Sequence, residues 1–188
     1  IVDGTPADCV IMATNKLIAG RLDLCLSGIN HGANMGEDVF YSGTVAGAME
    51  AALAGIPSLA FSYTGTTVSK LNDWHDVLVK LISDMLDDDI FDQGLLYNVN
   101  LPDKNPAYTK GIRFTCLGSR RYNNSITRVH DDSAKVYYKI GGGDLKWRGP
   151  VESDFRAIKE GYISVTPIKL DITNHDVLNG ISEWQIDW

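Results

Sequence analysis

The chain has 188 residues, 44% of them hydrophobic and 22% charged, with a formal charge of −7. That length supports one domain with a substantial core and room for a small appended subdomain. The acidic balance and the lack of a long basic run exclude a general binder of nucleic-acid duplexes, which needs clustered Lys and Arg for phosphates. No stretch approaches the ~18 apolar residues of a membrane span, and no secretory leader pattern is present. Cys9, Cys25 and Cys116 fit neither a disulfide framework nor a zinc site, so buried free thiols in a reducing cytoplasm are expected.

In chain order, Thr5, Pro6 and Asp8 are start signals for a helix over 5–19, closed by Gly20. Residues 23–28 form an apolar run ending in Gly, the pattern of a buried parallel strand. A loop rich in Gly and Asn follows over 28–43, then a helix over 44–54 crowded with Ala. Gly55-Ile56-Pro57 ends that helix, and 58–62 reads as a second buried strand, which completes a βαβ unit. Leu71, Trp74, Leu78, Ile82 and Met85 carry helical spacing over 70–88, and 95–100 is a further strand stopped by Pro102.

Beyond this the pattern changes. Residues 111–117, 135–140 and 161–170 alternate partially between polar turns such as Gly141 to Gly143, which predicts an antiparallel extension. Thr173 to Asp176 resembles a capping box before a short helix bearing Val177, Leu178, Ile181 and Trp184. The expected fold is α/β with a mostly parallel, Rossmann-like sheet, a β-hairpin extension and a C-terminal arm. The division predicted is 1–118 for an α/β core, and 119–188 for the β extension, a final core strand and the arm.

The chemically informative segment runs from Ser27 to Val45, after a strand and before a helix, where open α/β sheets bind ligands. Gly28, Gly32 and Gly36 permit close backbone approach, while Asn30 and Asn34 offer amide oxygens to a hard cation and amide nitrogens to an anion. Ser42, Gly43 and Thr44 stand where free N–H groups at a helix start can hold a phosphate. Taken singly, each of these residues also fits a turn or a cap; their density along one βα connection points to a binding loop. The loop matches neither a Walker P-loop nor a dinucleotide fingerprint.

The run from Ser27 to Glu50 resembles the signature of the SurE family of 5′/3′-nucleotidases, also called survival protein SurE. Further matches are Gly4 to Val10, Tyr97 to Pro102, Thr115 to Gly118, Gly161 to Pro167 and Asp171 to His175, so the resemblance spans nearly the whole chain. It implies a phosphatase that uses Mn²⁺ or Mg²⁺ to release phosphate from nucleoside monophosphates, and a homodimer or homotetramer. It also implies that Asn30 is a metal ligand, with two adjacent aspartates and a serine as the remaining ligands, expected upstream of Ile1. Asn30, Ser42 and Thr44 become the candidate catalytic residues, and Gly28, Asn34, Ser42, Gly43 and Thr44 the candidate phosphate binders. An upstream aspartate is the candidate general base. The alternative is a non-catalytic nucleotide-binding or oligomerisation module lacking the metal site.

Other candidates read as follows. His31 is expected at the rim of the site, His75 and His130 at the surface, and His175 with Asp171 either near the site or as part of a cap. Asp87 to Asp89 and Asp131-Asp132 read as solvated carboxylates. Arg120-Arg121-Tyr122 and Lys146-Trp147-Arg148 mix cations with aromatics and suit either a base or the packing of a β extension. Trp184 and Trp188 suggest a tail docked on a neighbouring subunit.

Overall fold

The computed structural model describes residues 1–93, 95–121, 126–130, 136–140 and 146–181. Its centre is a five-stranded sheet built from β1 (Cys25–His31), β2 (Ser58–Tyr63), β3 (Leu96–Leu101), β4 (Ile112–Phe114) and β9 (Ile163–Pro167), in the order β1-β2-β3-β9-β4. β1, β2 and β3 are parallel; β9 runs antiparallel to β3, and β4 runs parallel to β9. The sheet is thus mixed α/β with its first three strands wound as the βαβ pattern requires.

Helix α2 (Gly43–Leu53) packs over β1 and β2. Its Ala48, Ala51 and Ala52 are buried, and Ser58 Oγ donates to the Ala48 carbonyl at 2.8 Å. Small side chains let the helix axis approach the strands closely, which is why this segment is so rich in alanine. On the opposite face lies α3 (His75–Asp87), whose Leu78, Leu81 and Met85 pack with Leu59, Phe61 and Tyr63 of β2, Tyr97, Val99 and Leu101 of β3, and Ile163 and Val165 of β9. Strand alternation therefore gives one face to the α3 core. The other face bears Ala60 and Leu96 near the strand starts, and Ser62, Asn98 and Asn100 further along.

Several predicted boundaries shift. The helix predicted over 5–19 is α1 (Pro6–Met12) followed by a π turn over Ala13–Leu17, with Thr5 and Asp8 forming a capping box. The segment predicted as 70–88 starts as a 3₁₀ helix over Val68–Trp74 before α3. The strand predicted at 23–28 extends through His31 into the expected loop. It is half-exposed rather than buried, because β1 is the sheet edge among the described residues. The strands around 112–114 and 163–167, expected in an antiparallel extension, join the main sheet. The extension proper is the hairpin of β6 (Ile126–His130) and β7 (Val136–Ile140), beside a second ribbon of β5 (Ser119–Arg121) and β8 (Lys146–Arg148).

Helix α4 (Asp154–Glu160) was not anticipated; Ser153 as its N-cap residue and Gly161 in the left-handed region at its end were the available signals. Helix α5 (His175–Gly180) is capped by Asn174, which accepts from the Val177 N–H, rather than by Thr173. The thiols do not follow expectation either. Cys9 and Cys116 are exposed and Cys25 is half-buried, since α1 and the end of β4 lie at the surface. Tyr122, Asp131, Asp132, Gly141 to Gly143, Trp184 and Trp188 lie outside the described residues. No helix among the described residues is long and apolar enough to cross a membrane.

Leu101 is fully buried between β2, β9 and the α3 layer. Leu101→Ala is expected to lower the unfolding free energy by about 2 to 5 kcal/mol, read from urea denaturation with an unchanged slope.

Candidate functional site

The carboxyl ends of β1, β2 and β3 lie side by side, and the segment from Gly28 to Thr44 runs across them into the amino end of α2. Gly28 sits at φ +126°, and a Cβ built there would lie 2.5 Å from the Phe61 carbonyl oxygen, so only glycine fits this close approach to β2. Asn30 follows at the strand end, half-buried, with Nδ2 donating to the Gly32 carbonyl at 2.9 Å. That bond fixes the amide plane and leaves Oδ1 without a hydrogen bond among the described residues. The bend is not closed over: Gly28 and His31 are exposed, His31 as expected for a rim position.

The bend is held at Asn34. The Asn34 N–H donates to Asn100 Oδ1 at 3.0 Å, and its carbonyl accepts from Asn100 Nδ2 at 3.0 Å and Asn98 Nδ2 at 2.8 Å. Its own Nδ2 donates to Ser62 Oγ at 2.7 Å. Both peptide groups flanking the Asn34 Cα are thus gripped by side chains from β3, in a site where every partner is buried. Buried backbone groups left unpaired would be costly, so these asparagines replace the ladder that an irregular loop cannot make. Asn34 Nδ2, expected to serve a phosphate, is committed to Ser62. The residues that sequence reasoning missed are Ser62, Asn98 and Asn100. Asparagine alternating with apolar residues in a buried strand is poorly suited to β structure by propensity, and that misfit was the available signal.

A 3₁₀ helix over Gly36–Tyr41 carries the chain from Asn34 to Ser42. Its acidic start is tied to β5: Glu37 accepts from Ser119 Oγ at 2.8 Å and from the Arg120 N–H at 2.5 Å, and Asp38 pairs with the Arg120 guanidinium. The Arg120 backbone hydrogen bond holds the Glu37 carboxyl below its ordinary value against the opposing effect of burial. Arg120 also lies 5.4 Å from the Trp147 ring centre, and Trp147 stacks on Phe155 at 5.5 Å. The two cation–aromatic motifs therefore meet on the β5–β8 ribbon, with Arg120 bound to the loop.

At the start of α2, Ser42 is the N-cap and its Oγ accepts from the Val45 N–H at 3.1 Å. The Ala46 N–H goes to the Ser42 carbonyl, which leaves the N–H groups of Gly43 and Thr44 without an acceptor among the described residues. Gly43 is exposed and Ser42 and Thr44 are half-buried, so these donors face an accessible surface at the positive end of an 11-residue helix. The structure thus gathers Ser42, Gly43 and Thr44 at one helix end and seats Asn30 at the end of the strand beneath. Asn34 stands apart, in the frame. Among the described residues no three His, Cys, Asp or Glu side chains come together to hold a metal ion. The Asn30 amide oxygen alone does not make the shell of about six oxygens, with at least one carboxylate, that Mg²⁺ or Mn²⁺ prefers.

A family profile described as "Survival protein SurE" matches residues 1–124. A protein of Gemmatimonas aurantiaca named "5'-nucleotidase SurE" is 47% identical over 186 residues, covering 97% of this chain and 74% of its own length. This chain belongs to the SurE family. A relative of the same name from Natranaerobius thermophilus is 39% identical over 99% of this chain and 72% of its own length. The solved SurE protein of Aquifex aeolicus superposes with a TM-score of 0.81 at 38% identity, covering 96% of this chain and 73% of that one. The SurE resemblance seen at Ser27 to Glu50 thus lies within the matched region, and the βαβ unit that carries the bend is the family's own architecture.

Outside the bend, His75 is exposed at the start of α3, and His130 ends strand β6. His175 Nε2 lies 2.6 Å from Asp171 Oδ2 at the exposed base of α5. Hydrogen bonding from Thr173, and then from His175, holds the Asp171 carboxyl down at about 2 against its usual 3.8. A carboxylate depressed in this way steadies its turn above pH 3.8 and loses that contribution as pH falls toward 2. A carbon-detected NMR titration is expected to place the Asp171 midpoint near 2, and His175→Ala is expected to move it upward.

Proposed function

We propose that the protein is a metal-dependent nucleotidase that hydrolyses nucleoside 5′- and 3′-monophosphates to nucleoside and phosphate. The observation that carries this reading is the pair of N–H groups at Gly43 and Thr44 left without an acceptor among the described residues, beside the Ser42 hydroxyl and on the same connecting segment as the free amide oxygen of Asn30. The name 5'-nucleotidase SurE borne by relatives that match almost the whole chain supports the same reading.

In this reading the phosphoryl group sits on the amino end of α2. The N–H groups of Gly43 and Thr44 donate to its non-bridging oxygens, where fixed donors stabilise charge that develops as water attacks. The Ser42 hydroxyl accepts from Val45 with a lone pair, so its proton remains able to donate to the same oxygens. Asn30 Oδ1, oriented by the Nδ2 bond to Gly32, would supply one oxygen ligand to a divalent cation, Mn²⁺ or Mg²⁺. The described residues alone do not complete the shell of such an ion.

Assembly as a homodimer or homotetramer in the cytoplasm belongs to the same proposal. The apolar side chains it would cover include Ile126 and Tyr138 of the hairpin, each 64% exposed, and Val177 and Leu178 of α5.

The test is phosphate release from nucleoside monophosphates by the intact protein. Turnover is expected with Mn²⁺ and its loss with chelator, and Asn30→Ala is expected to lower kcat/KM by roughly a hundredfold or more. Unchanged turnover in the variant would remove Asn30 from the site. Nucleotide binding without turnover by the unaltered protein would favour the non-catalytic module instead.

A further inference from the structure

We infer that Asp154 is a positioning residue for this reaction, setting the placement of the phosphate-binding end of α2 through the turn at Gly36. This rests on the nucleotidase reading above.

Asp154 opens α4, is fully buried, and directs its carboxylate at three backbone N–H groups. Oδ2 accepts from Gly36 at 2.7 Å, and Oδ1 accepts from Gly118 at 2.9 Å and Phe155 at 2.7 Å. The carboxylate therefore bridges the loop that carries the site, the approach to β5, and its own helix start. Burial holds its carboxyl above the ordinary value, against the three N–H donors, which lower it only in part.

The contact leaves no slack. Gly36 is at φ +54°, and a Cβ there would stand 2.6 Å from the Gly118 carbonyl oxygen, so the two backbones meet without an intervening side chain. Glu37 and Asp38 fasten the same two segments, Glu37 from the solvent side, where salt weakens such ties; Asp154 does so from inside. Gly36 is also the first residue of the six-residue 3₁₀ helix whose next residue is Ser42. A short helix transmits a displacement at one end to the other, so the site of the Gly36 N–H governs where Ser42, Gly43 and Thr44 stand.

The chemistry requires an acid here. Asparagine has one amide oxygen, so at this position it would have to turn an N–H₂ toward one of the three N–H donors. Only a carboxylate accepts on both sides. Charge-assisted bonds of this kind are about twice as strong as neutral ones, and they oppose the cost of burying the charge without cancelling it.

The experiment compares Asp154→Asn with Glu37→Gln in the intact protein, reading nucleotide kinetics, amide hydrogen exchange and the thermal midpoint. For Asp154→Asn, exchange is expected to rise over residues 36–42 while β2 and β3 stay protected. KM for a nucleoside monophosphate is expected to rise roughly ten- to a hundredfold, with kcat within about threefold of the unaltered protein. Glu37→Gln is expected to change both far less. Asp154→Ser, which keeps one acceptor and admits water, provides the same comparison if the asparagine variant does not fold.

An unchanged KM with kcat reduced in proportion to unfolded protein would show a role in stability alone and overturn the inference, as would unaltered exchange over 36–42. Absence of phosphate release by the unaltered protein overturns the nucleotidase reading itself. The exchange comparison then still decides whether Asp154 places the turn.

Discussion

The grip of Asn98 and Asn100 on the peptide groups of Asn34 is the constraint on which the rest of the site depends. A loop that crosses the ends of three parallel strands cannot continue their ladder, yet its backbone lies in a buried place. Side-chain amides from β3 supply the missing partners, and the loop acquires one conformation rather than many. Ser62 and the Thr115, Ser164 and Thr166 hydroxyls extend this polar belt across the same sheet face, with Thr115 within 2.8 Å of both neighbours. Polar networks in a low-dielectric interior favour a single arrangement, although Asn98 Oδ1, buried in the same belt, has no hydrogen-bond partner among the described residues. The helix end that follows is thereby held at a fixed distance from the strands.

The two faces of the sheet divide the labour. Against α3 the strands present only apolar or aromatic side chains, and this half secures the fold. Against α2 the same strands change from Ala60 and Leu96 to Ser62, Asn98 and Asn100 along their length, so apolar packing gives way to polar recognition within a few residues. Period-two alternation makes this possible, because a residue can be committed to one face without disturbing the other. The exposed edge at β1 and the β6–β7 hairpin lie away from this division, and their apolar side chains are not used by the core.

Much of this was legible beforehand. The βαβ unit, the helix crowded with alanine, and the Gly and Asn bend each carry a local signature, and the start of α2 fell within one residue of expectation. What resisted reading was long-range. Asn98 and Asn100 appear in sequence as a strand with odd polar insertions, and only the docking of Asn34, 64 and 66 residues away, explains them. Asp154 lies 118 residues from Gly36, in a seven-residue helix too short to announce itself by periodicity. The partners of β9 were hidden for a similar reason: a largely buried strand does not reveal which strands it lies between, although its antiparallel pairing was expected. The strand pattern over 112–114 suggested an extension although the predicted core ran to residue 118, and the break in the βαβ pattern before it marks a change of direction rather than a new layer.

The 3₁₀ helix after Gly36 is pinned at its start and buried at Val39, yet its last two side chains project outward, Phe40 at 66% and Tyr41 at 88% exposure. Chemical identity at these two positions is decoupled from the scaffold. A laboratory library confined to Phe40 and Tyr41 therefore explores new surface chemistry beside an unchanged start of α2.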